Sequence, residues 1–293
     1  MSEQVILCPV CGDKKFESIP KLKSHYIVKC MSCGFVFSNL IPQQSELDDV
    51  YNNYNYEATT GTAETLSKRE DIARKLTSLK PMLSVLDVGC GNGAWLDAFK
   101  KFRCKTYGTE YNEHQMRIAK SKGHIILEGG LFPQTHSGDR FDLIIFTEVI
   151  EHILNPVPVL NHLNSLLIDG GHIFITTPNF NSIERVSLGQ KWGMICYPEH
   201  LGYYTPKTLH LALRNTGFTK FEMYTENISI FRVLQAIGAK KDSQEKISNS
   251  LQSLTKTNTL FALFKIMTNK FLDFLGVGVS IVAIYKKPIA QQS

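Results

Sequence analysis

The stretch Val85-Leu86-Asp87-Val88-Gly89-Cys90-Gly91-Asn92-Gly93 constrains this chain more than any other. An apolar run ends at an acid, glycines follow at alternate positions, and a helical pattern runs from Ala94 to Phe102. The pattern reads as a buried strand, a tight turn and a helix N-terminus. Glycine lets a ligand approach the backbone closely. The helix N-terminus adds free N–H groups and the favourable end of the dipole. Such a turn suits a nucleotide cofactor. The dinucleotide fingerprint is G-x-G-x-x-G, whereas the spacing here is G-x-G-x-G, with Asp87 two residues before Gly89. The bland alternative is a glycine-rich turn that binds nothing.

Around this turn, strand and helix patterns alternate, which argues for an α/β fold with a doubly wound parallel sheet. Strands are expected at Ser84–Val88, Lys105–Glu110, Ile125–Leu127, Phe141–Phe146, His172–Thr176, Gly217–Glu226 and Val277–Tyr285, with helices between them. Glu110 ends the second strand about twenty residues past the glycines, where a carboxylate can accept both hydroxyls of a ribose; a solvated strand-end acid is the alternative. The fourth strand runs into Thr147-Glu148-Val149-Ile150-Glu151-His152. If a helix starts there, Glu148, Glu151 and His152 share one face at the carboxyl end of the sheet, where α/β ligands bind. They then form half of a divalent-metal site, or the acids cap the helix and the histidine is a satisfied buried group. Residues 180–200 read as an irregular insertion, with Trp192 and Tyr197 as an acceptor wall. The segment Tyr203-Tyr204-Thr205-Pro206 starts a capped helix that runs through Asn215.

The N-terminal region holds Cys8-x2-Cys11 and Cys30-x2-Cys33, a spacing inside the zinc-site range. Four thiolates close a tetrahedral shell, so a zinc bound there is structural; two unrelated reduced thiol pairs are the alternative. The expected organisation is a zinc ribbon at 1–40, a linker at 41–61 and a catalytic domain at 62–293. The linker becomes aromatic at Tyr51, Tyr54 and Tyr56, as a cofactor lid or a loop packed on the domain. A helix is expected from Thr62 to Leu79, ended by Pro81. Residues 227–275 read as a helical insertion before the last strand, either covering the acceptor cleft, forming a dimer contact, or lying on a membrane surface as a basic amphipathic helix. Net charge is +5, and the segment from Arg214 to Ser293 holds 11 Lys/Arg against 5 Asp/Glu. The remainder is close to neutral, which argues against general nucleic-acid binding. Cys8 arrives before any apolar leader core, and the seven cysteines then point to metal ligation in a reducing, cytoplasmic compartment.

LDVGCGNG, the strand-two acid, FDLIIFTEVIEHI, GGHIFITTPN and PEHLGYYTPKTL stand in an order that resembles class I S-adenosylmethionine (SAM) methyltransferases, over about Val85 to Phe221. The chain is similar to the ubiquinone-pathway O-methyltransferases, and more so to zinc-ribbon relatives associated with bacterial surface-glycan or secondary-metabolite pathways. The resemblance implies a Rossmann-like seven-stranded methyltransferase sheet. It also implies SAM held by Asp87, Gly89, Cys90, Gly91, Gly93, Glu110 and Thr147, with Tyr111 beside the adenine. The family usually places an acid after strand three; Gly130 stands there, so backbone groups of Gly130 and Leu131 are expected to serve. The E-x-x-E-H segment also resembles small-RNA 2′-O-methyltransferases. That likeness implies a divalent ion such as Mg²⁺ on Glu148, Glu151, His152 and His200, meeting the acceptor hydroxyls. The alternative is metal-free, with His200 as general base. The expected function is O-methylation of a small molecule or glycan precursor. RNA ribose methylation and a non-catalytic zinc-ribbon interaction protein are the competing readings.

Overall fold

The computed structural model describes residues 4–19, 22, 26–47, 62–78, 83–135, 139–226, 273 and 275–290. Tyr51, Tyr54, Tyr56, Pro81 and the insertion at 227–275, apart from Asp273 and Leu275, lie outside the described residues.

Near the N-terminus, β1 (Phe16–Ser18), β2 (Ile27–Cys30) and β3 (Val36–Ser38) pair antiparallel. Helix α1 (Ala63–Thr77) follows, its first turn capped by the Thr62 side chain on the Thr65 N–H. The main sheet begins at β4 (Ser84–Val88), continues through α2 (Ala94–Lys100), β5 (Lys105–Thr109), α3 (Glu113–Ser121) and β6 (Ile125–Ile126), then crosses back to β7 (Phe141–Thr147). Helix α4 (Pro156–Leu166) leads to β8 (Leu167–Pro178). Next come α5 (Ile183–Leu188), β9 (Gly202–Tyr203), α6 (Pro206–Asn215), β10 (Thr219–Glu226) and β11 (Ser280–Lys286).

The seven-stranded sheet has the order β10-β11-β8-β7-β4-β5-β6. Strands β4 to β8 run parallel, and β11 is antiparallel to β8 and β10. Alternate residues feed opposite faces, as a two-residue period requires. Val85, Leu143 and Ile145 pack with Ala73, Leu76 and Phe99 of α1 and α2. Leu86, Val88, Ile144 and Phe146 pack with Leu160, Leu163, Leu209 and Leu213 of α4 and α6. The chain winds outward from β4 to β6 and then returns to the other side of β4. Strand order therefore reverses between β4 and β7, and ligands of open α/β sheets bind at the carboxyl ends of strands flanking such a reversal.

The strand expected at His172–Thr176 is longer than its pattern: Asp169, Gly170 and Gly171 lie within β8, whose pairing with β7 shifts register between Phe141 and Leu143. Gly170 takes φ +77° there, a conformation open to glycine at no steric cost. Pro156 and Pro158 sit in the first turn of α4, where a missing N–H costs nothing.

The ribbon is also not closed on itself. Strand β9, from the far side of the catalytic sequence, adds to β3 with Val36 opposite Tyr203 and Phe37 opposite Gly202. The core on the α4/α6 face runs on through Cys8, Cys30, Phe35 and Phe37 of the ribbon.

Helix α6 starts at a capping box: the Thr205 hydroxyl accepts from the Thr208 N–H and the Thr208 hydroxyl from the Thr205 N–H. Thr205→Ala removes one half of it and should lower stability by about 1 kcal/mol. Urea denaturation at fixed pH measures this, and an unchanged midpoint would show that the cap contributes nothing.

Candidate active site

The glycine turn sits at the carboxyl end of β4. Gly89, Gly91 and Gly93 take φ +80°, +52° and +81°, in the left-handed region that favours glycine. They differ in what a side chain would meet. A Cβ on Gly89 would lie 2.9 Å from Val149, one on Gly93 2.8 Å from His124, and one on Gly91 would enter open space. Gly91 is the member of the turn that leaves its backbone bare toward the cavity.

Glu110, just past β5, closes the turn from the other side. Its Oε2 accepts the Gly91 N–H at 2.8 Å, and its Oε1 accepts Tyr111 N–H at 2.7 Å and Asn112 N–H at 2.8 Å. Each carboxylate oxygen has further lone-pair capacity, so the group can still accept ribose hydroxyls while its orientation is set by backbone. The Tyr111 ring lies over Gly130: a Cβ there would come within 2.3 Å of the phenol. Glycine at 130 thus gives Tyr111 its place, and an acid there would displace the ring. Cys90, Gly89, Gly91, Glu110, Tyr111, Gly130, Leu131 and Thr147 all line one cavity of about 680 Å³.

Asp87 stands apart. It is 1% exposed, beneath the turn, and its Oδ2 has no hydrogen-bond partner among the described residues. Burial, aided by the Glu110 charge and opposed by Arg69, pushes its carboxyl up to about 8. Sequence reasoning missed Arg69 and Trp95. Both line the cavity, with the Arg69 guanidinium 5.7 Å from the Trp95 ring centroid. Together these features fit a cofactor carrying an ammonium and a carboxylate: Asp87 supplies an unsatisfied acid and Arg69 a cation. A signal for Arg69 was available. It falls at helical spacing between Leu66 and Ile72-Ala73, on the apolar stripe rather than the solvated face.

The second half of the site begins one residue past β7. The expected helix is absent. Glu148 takes φ +53°, and only Ile150–His152 form a turn, of the 3-10 type. Glu148, Glu151 and His152 therefore do not share a helical face; a left-handed residue breaks the helix before it starts. The neighbouring strand holds both acids instead. Thr176 Oγ1 donates to Glu148 Oε1 at 2.7 Å, and Thr177 Oγ1 donates to Glu151 Oε2 at 2.9 Å.

The two histidines are oriented alike. His152 Nδ1 lies 2.8 Å from the Glu199 carbonyl oxygen and His200 Nδ1 2.8 Å from that of Met194. A carbonyl only accepts, so each Nδ1 carries the proton and each Nε2 presents a lone pair. Burial holds both rings below the usual histidine range, His200 at about 4, so both are neutral near pH 7. Their ring centroids are 4.8 Å apart. Ligand atoms of Glu151, His152 and His200 all lie within 4.8 Å of one another. Glu148 is outside that trio but lines the same cavity. Burial raises Glu151 to about 7; Glu148, exposed at the cavity surface, is shifted upward by the cavity walls around it and then by the Glu151 charge. A nitrogen–nitrogen–oxygen trio with its Nδ1–H groups pinned by carbonyls has the orientation that metal-ligating histidines take.

The expected acceptor wall is revised. Trp192 is 2% exposed and packs with Leu22, Ile27, Val36, Phe180 and Tyr203, between the ribbon and the catalytic sheet. Tyr197 packs on Tyr26 and donates to Glu46. The cavity is bounded instead by Gly193, Met194, Cys196, Glu199 and His200 of the same segment. An aromatic residue in a loop reads equally as wall or core; the ribbon makes Trp192 core and holds the half-buried Tyr197 through Tyr26.

In the ribbon the four cysteine sulfurs lie within 4.8 Å of one another, with Cys8–Cys33 at 3.6 Å and Cys11–Cys30 at 3.5 Å. None forms a disulfide. Sulfurs around a tetrahedral zinc, at 2.3 Å each, are about 3.8 Å apart, so this donor set fits that ion.

Residues 62–222 match the methyltransferase domain family. The chain belongs to that family, and its sheet order is that of the class I SAM-dependent enzymes. It is 27% identical over 150 residues to the ubiquinone biosynthesis O-methyltransferase of Cereibacter sphaeroides, covering 46% of this chain and 60% of that protein. It is 31% identical over 109 residues to the same enzyme of Marinobacter nauticus, covering 33% and 44%. The chain thus spans less than two thirds of these relatives. A SAM-dependent methyltransferase from Archaeoglobus fulgidus shares the fold with TM-score 0.50 and 18% identity, covering 84% of this chain and 100% of that one. The CcbJ methyltransferase of Streptomyces caelestis does so with TM-score 0.50 and 13% identity, covering 83% and 96%. Among the described residues, no helix is long and apolar enough to cross a membrane.

The raised carboxyl of Asp87 has a consequence for the protein without ligands. Its value rises from 3.8 to about 8 on folding, so between those pH values the folded state holds a proton that the unfolded state has lost. Stability from this group therefore falls as pH rises from about 4 to about 8. Asp87→Asn cannot ionise, and should raise stability at pH 8 by more than about 1 kcal/mol relative to its effect at pH 4. Denaturant melts at both pH values test this; an equal effect at both would show that folding leaves the ionisation of Asp87 unchanged.

Proposed function

We propose that this chain transfers the methyl group of SAM to a hydroxyl of a small-molecule or glycan-precursor acceptor with adjacent oxygens, and that a divalent ion on Glu151, His152 and His200 orients those oxygens. SAM supplies an electrophilic methyl on a leaving sulfur. The chain supplies the geometry for an in-line displacement and the means to expose a lone pair on the acceptor. The carrying observation is the trio of ligand atoms within 4.8 Å, in the same cavity as the glycine turn.

Each residue has a task. Gly91 lets the cofactor reach the backbone, Glu110 receives the ribose, and Tyr111 with Gly130 and Leu131 borders the adenine. Arg69 faces the amino-acid end, and Asp87 lies buried beneath the turn next to it. Glu151, His152 and His200 would hold the ion, whose charge would make a bound hydroxyl easier to deprotonate. Glu148, which lines the cavity beside them, would accept that proton once the positive charge of the ion brings its carboxyl down into the ionised form. Two imidazoles and one carboxylate suit Mn²⁺, Zn²⁺ or Fe²⁺ better than Mg²⁺, which prefers oxygen donors. Cys8, Cys11, Cys30 and Cys33 hold a structural zinc.

The competing readings fit less well. A histidine held at about 4 is a weak general base, which disfavours the metal-free mechanism. Glu148, Glu151 and Glu199 line the acceptor side of the cavity, a poor setting for the phosphates of RNA.

The cofactor half is tested with Gly91→Ala. The added methyl enters the open space over the turn, and its left-handed backbone costs only about 1–2 kcal/mol. SAM affinity by calorimetry should fall by about tenfold or more in a variant that still melts cooperatively. Wild-type affinity would move the cofactor elsewhere.

For the other half the variant is Glu151→Gln. It removes a ligand charge while keeping the side-chain shape, and Mn²⁺ affinity should drop about 10–100-fold with SAM affinity unaltered. Methylation of a panel of catechols and vicinal diols, measured with Mn²⁺ and with EDTA, completes the test. Full activity in EDTA, with Glu151→Gln indifferent, would sink the metal reading.

A further inference from the structure

The ribbon does more than pack against the catalytic sheet. Its third strand reaches the acceptor half of the site through backbone hydrogen bonds. Strand β3 pairs with β9, and one step further the Ser38 N–H donates to the Leu201 carbonyl at 2.8 Å. The same peptide segment then continues inward: the Leu201 N–H donates to the Glu151 carbonyl at 2.7 Å. Leu201 thus links the ribbon on one side to the 3-10 turn on the other, and His200 is its immediate neighbour. The side chains follow the same route. The Phe35 N–H donates to Cys33 Sγ at 3.4 Å, and the Phe35 ring packs against Tyr204 at 4.9 Å. Tyr204 is fully buried and its hydroxyl has no partner among the described residues. Gly202 is closed in between them: a Cβ would stand 3.1 Å from Tyr204 and 3.2 Å from Phe35. Among the described residues no comparable link reaches the glycine turn, whose neighbours are Thr109, Glu110, Lys122, Val149 and His124.

We infer that the ribbon is the template for the acceptor half of the site, with Ser38, Gly202 and Leu201 as positioning residues for His200 and Glu151, while the parallel sheet sets the cofactor half alone. This deepens the proposed function and rests on it only for the identity of what His200 and Glu151 hold. The physical ground is the one that governs other ligand shells: partners that orient a ligand matter nearly as much as the ligand itself.

Ser38→Pro in the full chain tests the inference. Proline deletes the N–H that faces Leu201, while the adjacent bond from Asn39 N–H to the Tyr26 carbonyl and all four thiols remain. Backbone hydrogen exchange, which reports local opening, should accelerate by about tenfold or more in residues 148–153 and 196–204 and stay at the wild-type rate in 84–93 and 105–112. Mn²⁺ affinity should fall by about tenfold or more, and SAM affinity should hold within about twofold. Ser38→Ala, which keeps the N–H, should match the wild type in all three. Gly202→Ala, which wedges Phe35 from Tyr204, is the second variant and should reproduce the proline pattern should Ser38→Pro not fold. Wild-type protection of 148–153 in the folded variant, or equal loss of protection in both halves, would overturn the template role. A wild-type protein that binds no Mn²⁺ would instead count against the metal reading, and the exchange pattern would still decide this one.

Discussion

The reversal of strand order between β4 and β7 is the constraint on which the rest of the site depends. Neighbouring parallel strands whose connections leave in opposite directions open a crevice at their carboxyl ends. Into that crevice β4 delivers Gly89 to Gly93 and β7 delivers Thr147 to His152. The glycine turn and the acid–histidine segment lie more than fifty residues apart in the chain, yet the sheet sets them edge to edge. Alternation of side chains along β4 then divides the labour. Leu86 and Val88 enter the α4/α6 core, and Asp87 points to the face covered by α1, which brings Arg69.

The site is costly to the protein in isolation. Asp87 and Glu151 have carboxyls raised by burial to about 8 and about 7, and His152 and His200 are held neutral by burial. Each is a group that water would solvate better. The arrangement makes sense as preorganisation: the carboxyls and the two Nε2 lone pairs stand ready for cations, and positive charge arriving among them offsets the desolvation. Stability given up at a site in this way is the usual companion of function.

The ribbon shows how a small unit built around a cysteine cluster can be joined to a larger enzyme. Alone, forty residues bury too little apolar surface to fold without help. Here help comes from the thiol cluster and also from β9, which completes its sheet. The exchange is mutual, because β9 belongs to the segment that carries His200. That segment is held by Trp192 and Tyr203 inside a core shared with Ile27 and Val36, so the histidine stands on a packed platform although its own stretch has little regular structure.

Much of this was legible in the sequence, for identifiable reasons. The strand–glycine–helix turn, the alternating elements and the paired C-x2-C knuckles are local patterns, each governed by backbone sterics, side-chain period or ligand spacing. They carried the methyltransferase fold, and β4 appears at the residues the pattern marked. What the sequence left open were questions of which surfaces meet. The E-x-x-E-H segment has helical spacing, but Glu148 adopts φ +53° and hands both acids to Thr176 and Thr177; a cross-strand hydrogen bond has no signature in the turn itself. Trp192 and Tyr197 had the character of a binding wall, but Trp192 became core under the ribbon and Tyr197 packs half-buried against Tyr26. Arg69 stands on the apolar stripe of its helix, but that it faces Asp87 shows only when α1 is laid over β4. The ribbon's link to His200 runs through a two-residue strand, too short for any periodicity to mark. Local chemistry is written in neighbouring residues, whereas the partner of a buried charge, a short strand or an aromatic ring is decided only when distant segments close over it.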